Sequence, residues 1–327
     1  MNAPVLPQSA ASEGLDMVDF LLDGQAVQAR PGETIWQVAQ RQGVEIPHLC
    51  HREGLRPDGN CRACVVEIAG ERTLSPSCCR QPTPGMQVQA QSARARQSQK
   101  MVVEMLLSDL PEQGYRWNDA GPAQAYARGN APDLIASGVD PESPAGLLEA
   151  SSPPAAAGAG PHGELSAWAQ RLGVSVRPAL QALRREPPAP DLSHPAIAVN
   201  LDACIQCNRC VRACREEQVN GVIGVAGRGA HSRIVFDLGD PMQDSSCVAC
   251  GECVQACPTG ALSAKTLIGS QRVDRQVDSV CPFCGVGCQI TYQVRGEKIV
   301  RVDGREGPAN QGRLCVKGRF GFDYVHH

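Results

Sequence analysis

CIQCNRCVRAC at residues 204–214 and CVACGECVQACP at residues 247–258 repeat one cysteine spacing, C-x2-C-x2-C-x3-C. Four thiols this close in sequence can converge on one inorganic centre. A zinc knuckle gives no reason for a third close cysteine or for the Pro258 that follows the second run, whereas iron–sulfur ligation does. The eight thiols therefore predict two [4Fe-4S] centres in one module over residues 191–272.

The rest of the chain is read outward from these runs. Of 327 residues, 17 are cysteine: five lie between positions 50 and 79, none between 80 and 203, and twelve between 204 and 315. Phe, Tyr and Trp number 5, 4 and 3, too few for an aromatic core to organise so long a chain. The 31 basic and 34 acidic side chains give a net charge of -3 with no block of one sign, which excludes a nucleic-acid footprint. No uncharged apolar window is long enough for a membrane helix. The opening MNAPVLPQSAASEGLDM has no basic, apolar or twin-arginine export pattern, so a cytoplasmic location is expected. Thiols in a reducing compartment serve as metal ligands rather than disulfide halves.

Two more cysteine sets flank the runs. Cys50, Cys61, Cys64 and Cys78 place one close pair on a turn just before an apolar run, with Pro57, Gly54 and Gly59 in the loop between. Four thiolates gathered by one long loop and a distant strand end suit a [2Fe-2S] centre; zinc more often takes two close pairs. Cys79, one residue past the fourth ligand, is expected on the opposite face of a strand as a spare thiol. Cys281, Cys284, Cys288 and Cys315 form the last set, with a hairpin of Gln289 to Val294 and Lys298 to Val302 turning at Arg295-Gly296-Glu297. The glycine-containing REGPANQGRLC segment then returns Cys315 to the other three, which predicts a third [4Fe-4S] centre. His231 lies between the two runs, and centres already saturated by cysteine leave it no ligand role.

Periodicity predicts an α+β fold. Val18, Phe20 and Leu22 alternate before an Asp23-Gly24 hairpin signal, Thr34 caps a helix carrying Ile35, Val38 and Ala39, and Gly43 ends it. Strands over Cys64 to Ile68 and Met86 to Gln89 complete a small mixed sheet gripping one helix. Gln97 to Leu110 reads as a helix whose apolar face holds Met101, Val102, Met105, Leu106 and Leu110, stopped by Pro111. Residues 121–160 are dominated by Ala, Gly, Pro and Ser and read as a flexible linker, part of a connecting region over 111–190. Leu165, Trp168, Ala169 and Leu172 then recur at helical spacing from Glu164 to Leu172, a helix docked on its own chain. Ile234 to Phe236 reads as a short strand between the runs.

These residues carry resemblances. The first quartet in its strand, helix and loop setting, over residues 16–110, is similar to the β-grasp, ferredoxin-like N-terminal domain of complex I large iron–sulfur subunits, of NiFe-hydrogenase diaphorase subunits and of NAD-dependent formate dehydrogenase alpha subunits. Many of those relatives hold a further cluster with a His and three Cys in the next segment; here SDLPEQGYRWNDAG has neither residue, which argues against a complex I subunit. The duplicated runs resemble the two-cluster bacterial ferredoxin, in which the fourth cysteine of each run ligates the other cluster. That implies one centre on Cys204, Cys207, Cys210 and Cys257 and another on Cys214, Cys247, Cys250 and Cys253. CPFCGVGC with RLCVKGRFGFDYVHH, over residues 273–327, is similar to the opening of bis-molybdopterin-guanine-dinucleotide (bis-MGD) oxidoreductases, most closely cytoplasmic formate dehydrogenase alpha subunits.

The resemblance implies one [2Fe-2S] and three [4Fe-4S] clusters. It further implies that Lys317 passes electrons between the last cubane and the pterin, that bis-MGD with Mo or W belongs to domains or a subunit beyond His327, and that a flavin/NAD diaphorase subunit is the redox partner. The expected function is relay of electrons from formate oxidation, with no catalytic residue in this chain. A hydrogenase or other molybdopterin oxidoreductase subunit is the alternative within redox chemistry, and a zinc-stabilised binding scaffold the alternative outside it.

Overall fold

The computed structural model describes residues 17–111, 163–267 and 273–326, so the expected linker over 121–160 lies outside the described residues. The chain divides into two compact units, residues 1–48 with 57–102 and residues 49–56 with 103–327.

In the first unit a five-stranded mixed sheet has the order β2-β1-β5-β3-β4. β1 (Val18–Leu22) and β2 (Gln25–Ala29) form an antiparallel hairpin, in register from Val18 with Ala29 to Leu22 with Gln25. Asp23 and Gly24 turn it with φ of 49° and 83°, the two left-handed positions that a tight hairpin requires. β5 (Gln87–Gln89) runs parallel to β1 and antiparallel to β3 (Val65–Ile68), and the two-residue β4 (Ser75–Pro76) closes the edge. Pro76 is tolerated there because an edge strand has an unneeded N–H side.

Helix α1 (Ile35–Arg41) starts at Thr34, whose side chain and Gln37 complete a capping box. It ends in Gly43 at φ 74°. Ile35, Trp36, Val38 and Ala39 bury against Phe20, Leu22, Val27, Val66, Ile68 and Val88, one continuous apolar core.

Helix α2 (Ala93–Ser108) begins four residues before the expected Gln97. Ser92 Oγ accepts the Ala95 amide at 3.1 Å, a cap that outranks hydrophobic periodicity as a start signal. Its expected apolar face is corrected in part: Leu110 is buried and Val102 and Leu106 are half-buried, but Met101 and Met105 are 47% and 57% exposed, while Ala95, Gln99 and Val103 are buried. Gln99 goes inside because its amide donates to the carbonyls of Val65 and Ala90 at 2.9 and 3.3 Å.

In the second unit, β6 (Ile197–Val199) and β9 (Leu262–Ala264) pair antiparallel just before the first cysteine run and just after the second. That pairing closes the duplicated module on itself. The strand expected at Ile234 is β8 (Arg233–Phe236), and it has a partner, β7 (Ile223–Ala226), that the glycine-rich surroundings hid. The Glu164–Leu172 helix forms as expected, with Leu165, Trp168, Ala169 and Leu172 buried and Gly173 ending it in the left-handed conformation.

Toward the C-terminus, β10 (Arg275–Val280), β11 (Gln289–Arg295) and β12 (Lys298–Gly304) form an antiparallel sheet. The hairpin turn is tighter than expected, since Arg295 pairs with Lys298 and leaves only Gly296 and Glu297 unpaired. β10 is an addition: it is exposed over most of its length, so it lacks the buried alternation that marks a strand in sequence.

Candidate metal centres

The two runs fold alike. In the first, Gln206 and Asn208 take φ of 53° and 59°; in the second, Ala249 and Gly251 take 54° and 74° at the equivalent places. Non-glycine residues resist this left-handed region, so paired occurrences mark a backbone held for a purpose. The purpose is visible in the amides. The N–H groups of Gln206 and Ala249 donate to Cys204 Sγ and Cys247 Sγ, each at 3.4 Å, and the amides of Arg209 and Glu252 do the same for Cys207 and Cys250. Such nests of N–H groups stabilise an anionic sulfur. Nothing in the residue types of Gln206, Asn208 and Ala249 announces the role; only the spacing of the cysteines around them could have.

Cys257 is near enough for its charge to act on Cys204, Cys207 and Cys210 and also on Cys253, while Cys214 acts on Cys247 and Cys253. Cys204, Cys207, Cys210 and Cys257 line one recess with Leu201, Ile234 and Pro258. Burial in this apolar recess pushes the Cys204 thiol up to about 11 and the Cys207 thiol to about 12. Cys210 and Cys253 are pushed well up for the same reason. A buried thiol group of this kind gives up its protons when cations take their place, so the donor set fits a metal cluster. Among the described residues, no three His, Cys, Asp or Glu side chains are gathered in the geometry of a single-ion site. A polynuclear cluster is wider than one ion and holds its ligands farther apart.

The C-terminal set also converges: Cys288 feels the charges of Cys281, Cys284 and Cys315, and the Cys281 amide donates to the Cys288 carbonyl at 2.8 Å. Asn310, unrecognised in the sequence, organises the return of the chain. Its Oδ1 accepts the Gln289 amide at 2.9 Å while its Nδ2 donates to the carbonyls of Gln289, Arg305 and Arg313 at 3.0 to 3.2 Å. Cys315 then leads into the short Val316–Phe320 helix, where Lys317 is exposed.

Of the first set, Cys61, Cys64 and Cys78 lie in the first unit, and Cys50 lies on the 49–56 segment that groups with the second. Cys50, Cys64 and Cys78 are buried and Cys61 partly so, whereas Cys79 is exposed. Cys78 and Cys79 sit on a turn rather than on the expected strand, Cys79 donating its amide to the Pro76 carbonyl at 3.1 Å, and the turn brings the two sulfurs to 3.6 Å of each other instead of placing them on opposite faces. The Cys78 segment is tied to the start of α1 by the Ile35 and Trp36 amides, which donate to Arg80 and Ser77.

Buried and half-buried guanidinium groups were not anticipated. Arg185 donates to the Cys204 carbonyl at 2.6 Å, Arg212 donates to the carbonyls of Cys50 and Cys207, and Arg209 grips Glu164 bidentately at 2.7 and 2.8 Å. The signal for two of them lies in the NRCVR stretch itself, where arginines interleave with cysteines. Cations at these places offset the charge of thiolate-bound clusters.

With this geometry in hand, three domain families match in succession: "2Fe-2S iron-sulfur cluster binding domain" over residues 16–93, "4Fe-4S dicluster domain" over 203–261 and "Molybdopterin oxidoreductase Fe4S4 domain" over 274–327. Among curated relatives, an NADH-quinone oxidoreductase subunit of Rhizobium meliloti is 28% identical over 94% of this chain and 32% of its own length. NADPH-Fe(3+) oxidoreductase subunit alpha of Geobacter sulfurreducens is 30% identical over 95% of this chain and 32% of its own length. A formate dehydrogenase-like protein of Bacillus subtilis, YrhE, is 26% identical over 94% of this chain and 32% of its own length. The chain thus spans about a third of these relatives (32%). A solved NAD+-reducing [NiFe]-hydrogenase structure shares the fold at TM-score 0.56 and 24% identity, covering 79% of this chain and 92% of that one. No helix among the described residues is long and apolar enough to cross a membrane. Each cysteine set falls inside one matched iron–sulfur domain: the first within 16–93, the two runs within 203–261 and the last within 274–327.

Proposed function

We propose that this chain is the electron-transfer region of a formate dehydrogenase alpha subunit. Cys50, Cys61, Cys64 and Cys78 would hold a [2Fe-2S] cluster. Cys204, Cys207, Cys210 and Cys257, then Cys214, Cys247, Cys250 and Cys253, then Cys281, Cys284, Cys288 and Cys315 would each hold a [4Fe-4S] cluster. Bound clusters supply one-electron stations. The protein's work is to fix them close together, to exclude water and to set their potentials through N–H···S bonds and buried charge.

The observation that carries the reading is that Cys257, from the second run, lines one recess with Cys204, Cys207 and Cys210 of the first; an exchange of fourth cysteines would place two centres side by side. Formate, oxidised at a Mo or W bis-MGD centre outside these residues, would be the electron source, with Lys317 the residue facing that centre. A flavin/NAD subunit would be the sink, and Cys79 a spare thiol. The likeness to YrhE and the cysteine-rich CPFCGVGC and RLCVKGRF stretches support the formate assignment. The relatives named for NADH-quinone and NADPH-Fe(3+) chemistry favour a second reading, the same relay serving another terminal substrate.

The test uses this chain together with the domains or subunit that would hold the pterin centre, purified anaerobically. Formate added without nicotinamide should bleach the iron–sulfur absorbance and develop reduced-cluster paramagnetic signals. Bleaching by NADH or NADPH with none by formate overturns the formate assignment and leaves the relay. A colourless protein rich in zinc overturns both.

A further inference from the structure

Arg319 and Glu252 form a buried ion pair, each side chain 3% exposed, with Arg319 Nη2 2.6 Å from Glu252 Oε1. The same oxygen accepts the Leu314 amide at 3.1 Å. Arg319 also reaches two ligand cysteines of different sets. Its Nε donates to the Cys250 carbonyl at 2.9 Å, and its own amide donates to the Cys315 carbonyl at 3.1 Å. One residue therefore links the main chains of Cys250 and Cys315.

The glycine beside Cys250 shows that room is kept for this link. A Cβ at Gly251 would lie 2.0 Å from Arg319 Cδ and 2.9 Å from Phe320 Cζ. The equivalent position of the first run is Asn208, with a similar left-handed φ of 59°. Backbone angle alone does not demand glycine here; the passage of Arg319 does. Stability is a weak reason to bury such a pair, because the desolvation of two charges offsets most of their attraction. A guanidinium fixed beside one anionic centre, with its carboxylate partner held alongside, has an electrostatic consequence instead.

We propose that Arg319 is a positioning residue that bridges the centre on Cys250 to the centre on Cys315, and that the Arg319–Glu252 pair sets the redox balance between them. This rests on the ligand sets proposed above. One electron moves in the step it serves: the centre on Cys281, Cys284, Cys288 and Cys315 is oxidised, that on Cys214, Cys247, Cys250 and Cys253 is reduced, and no bond is made or broken.

The test is a paramagnetic redox titration of the anaerobically reconstituted full chain, with iron and acid-labile sulfide counted first. Arg319→Gln should lower the reduced-to-oxidised ratio of the Cys250 centre at fixed poise roughly tenfold, about 59 mV for a one-electron couple. Glu252→Gln should shift the same ratio upward, because it removes the negative partner. Arg319→Lys should recover part of the first shift, and the centre on Cys204, Cys207, Cys210 and Cys257 should stay in place throughout. A parent chain that takes up less than half of about 14 irons sinks the ligand sets and the bridge together. A fully loaded parent sinks the bridge alone if Arg319→Gln and Glu252→Gln leave the ratio unmoved or move it the same way. Iron loss in all three variants of a loaded parent also overturns it, since the pair would then only hold the fold.

Discussion

The two cysteine runs share their spacing, left-handed residues and N–H···S bonds, yet their surroundings differ. Beside the first, Arg209 pairs with Glu164 from a helix far upstream; beside the second, Glu252 pairs with Arg319 from far downstream. The cysteine pattern builds the nest for sulfur, while charge is imported from elsewhere in the chain, with opposite polarity: the run supplies the cation in one case and the anion in the other. Identical ligands can thereby hold centres of different potential.

The comparison breaks most visibly at the fourth cysteines. On the crossed ligand sets proposed above, the double variant Cys204→Ser/Cys257→Ser should lose about four irons, because both residues would hold one centre. A loss of about eight, by metal analysis after reconstitution, would show that each run holds its own cluster.

Next in size is the upstream pair. Glu164→Gln leaves the buried Arg209 without its carboxylate, and the expected destabilisation is about 2–3 kcal/mol, below the usual range for a buried pair because Glu164 is partly exposed. Denaturant unfolding monitored by cluster absorbance measures it, and a change under about 0.5 kcal/mol would make the pair ornamental.

The glycine difference gives a smaller, reciprocal pair of effects. Gly251→Asn should cost about 1–3 kcal/mol by overpacking against Arg319, while Asn208→Gly in the first run should stay within about 0.5 kcal/mol. Equal effects at the two sites would refute the argument that Arg319 selects the glycine.

The smallest expected effect is one of pH. His194 is buried and its Nδ1 accepts the Ala196 and Ile197 amides, each at 3.1 Å. Burial, reinforced by the Lys265 charge and opposed by Asp191, holds its pKa below the ordinary 6.5. The unfolded chain then binds the extra proton first, so stability is full above pH 6.5 and declines as pH falls from there toward the folded value. Thermal melts should show that decline, and His194→Gln should flatten it.

Much of the site was legible because cysteine spacing is a direct record of ligand geometry. Four sulfurs must meet at one point, and local loops can supply them. Elements with clean periodicity were equally legible: the Thr34 cap, the Asp23-Gly24 turn and the buried stripe of the Glu164–Leu172 helix all stand as read. The expected face of α2 was only partly right because Gln99, polar by type, goes inside to two buried carbonyls that no local pattern announces. β10 was missed because an exposed strand has no alternation to read.

By itself, the sequence determined how the cysteines fall into small, closely spaced groups, since that depends on distances along the chain. Only the tertiary structure decided which charges face each group, because Arg209, Arg319, Glu164 and Glu252 come from segments far apart in sequence and meet by packing. Electrostatic effects depend on distance in space and on burial, neither of which residue order records.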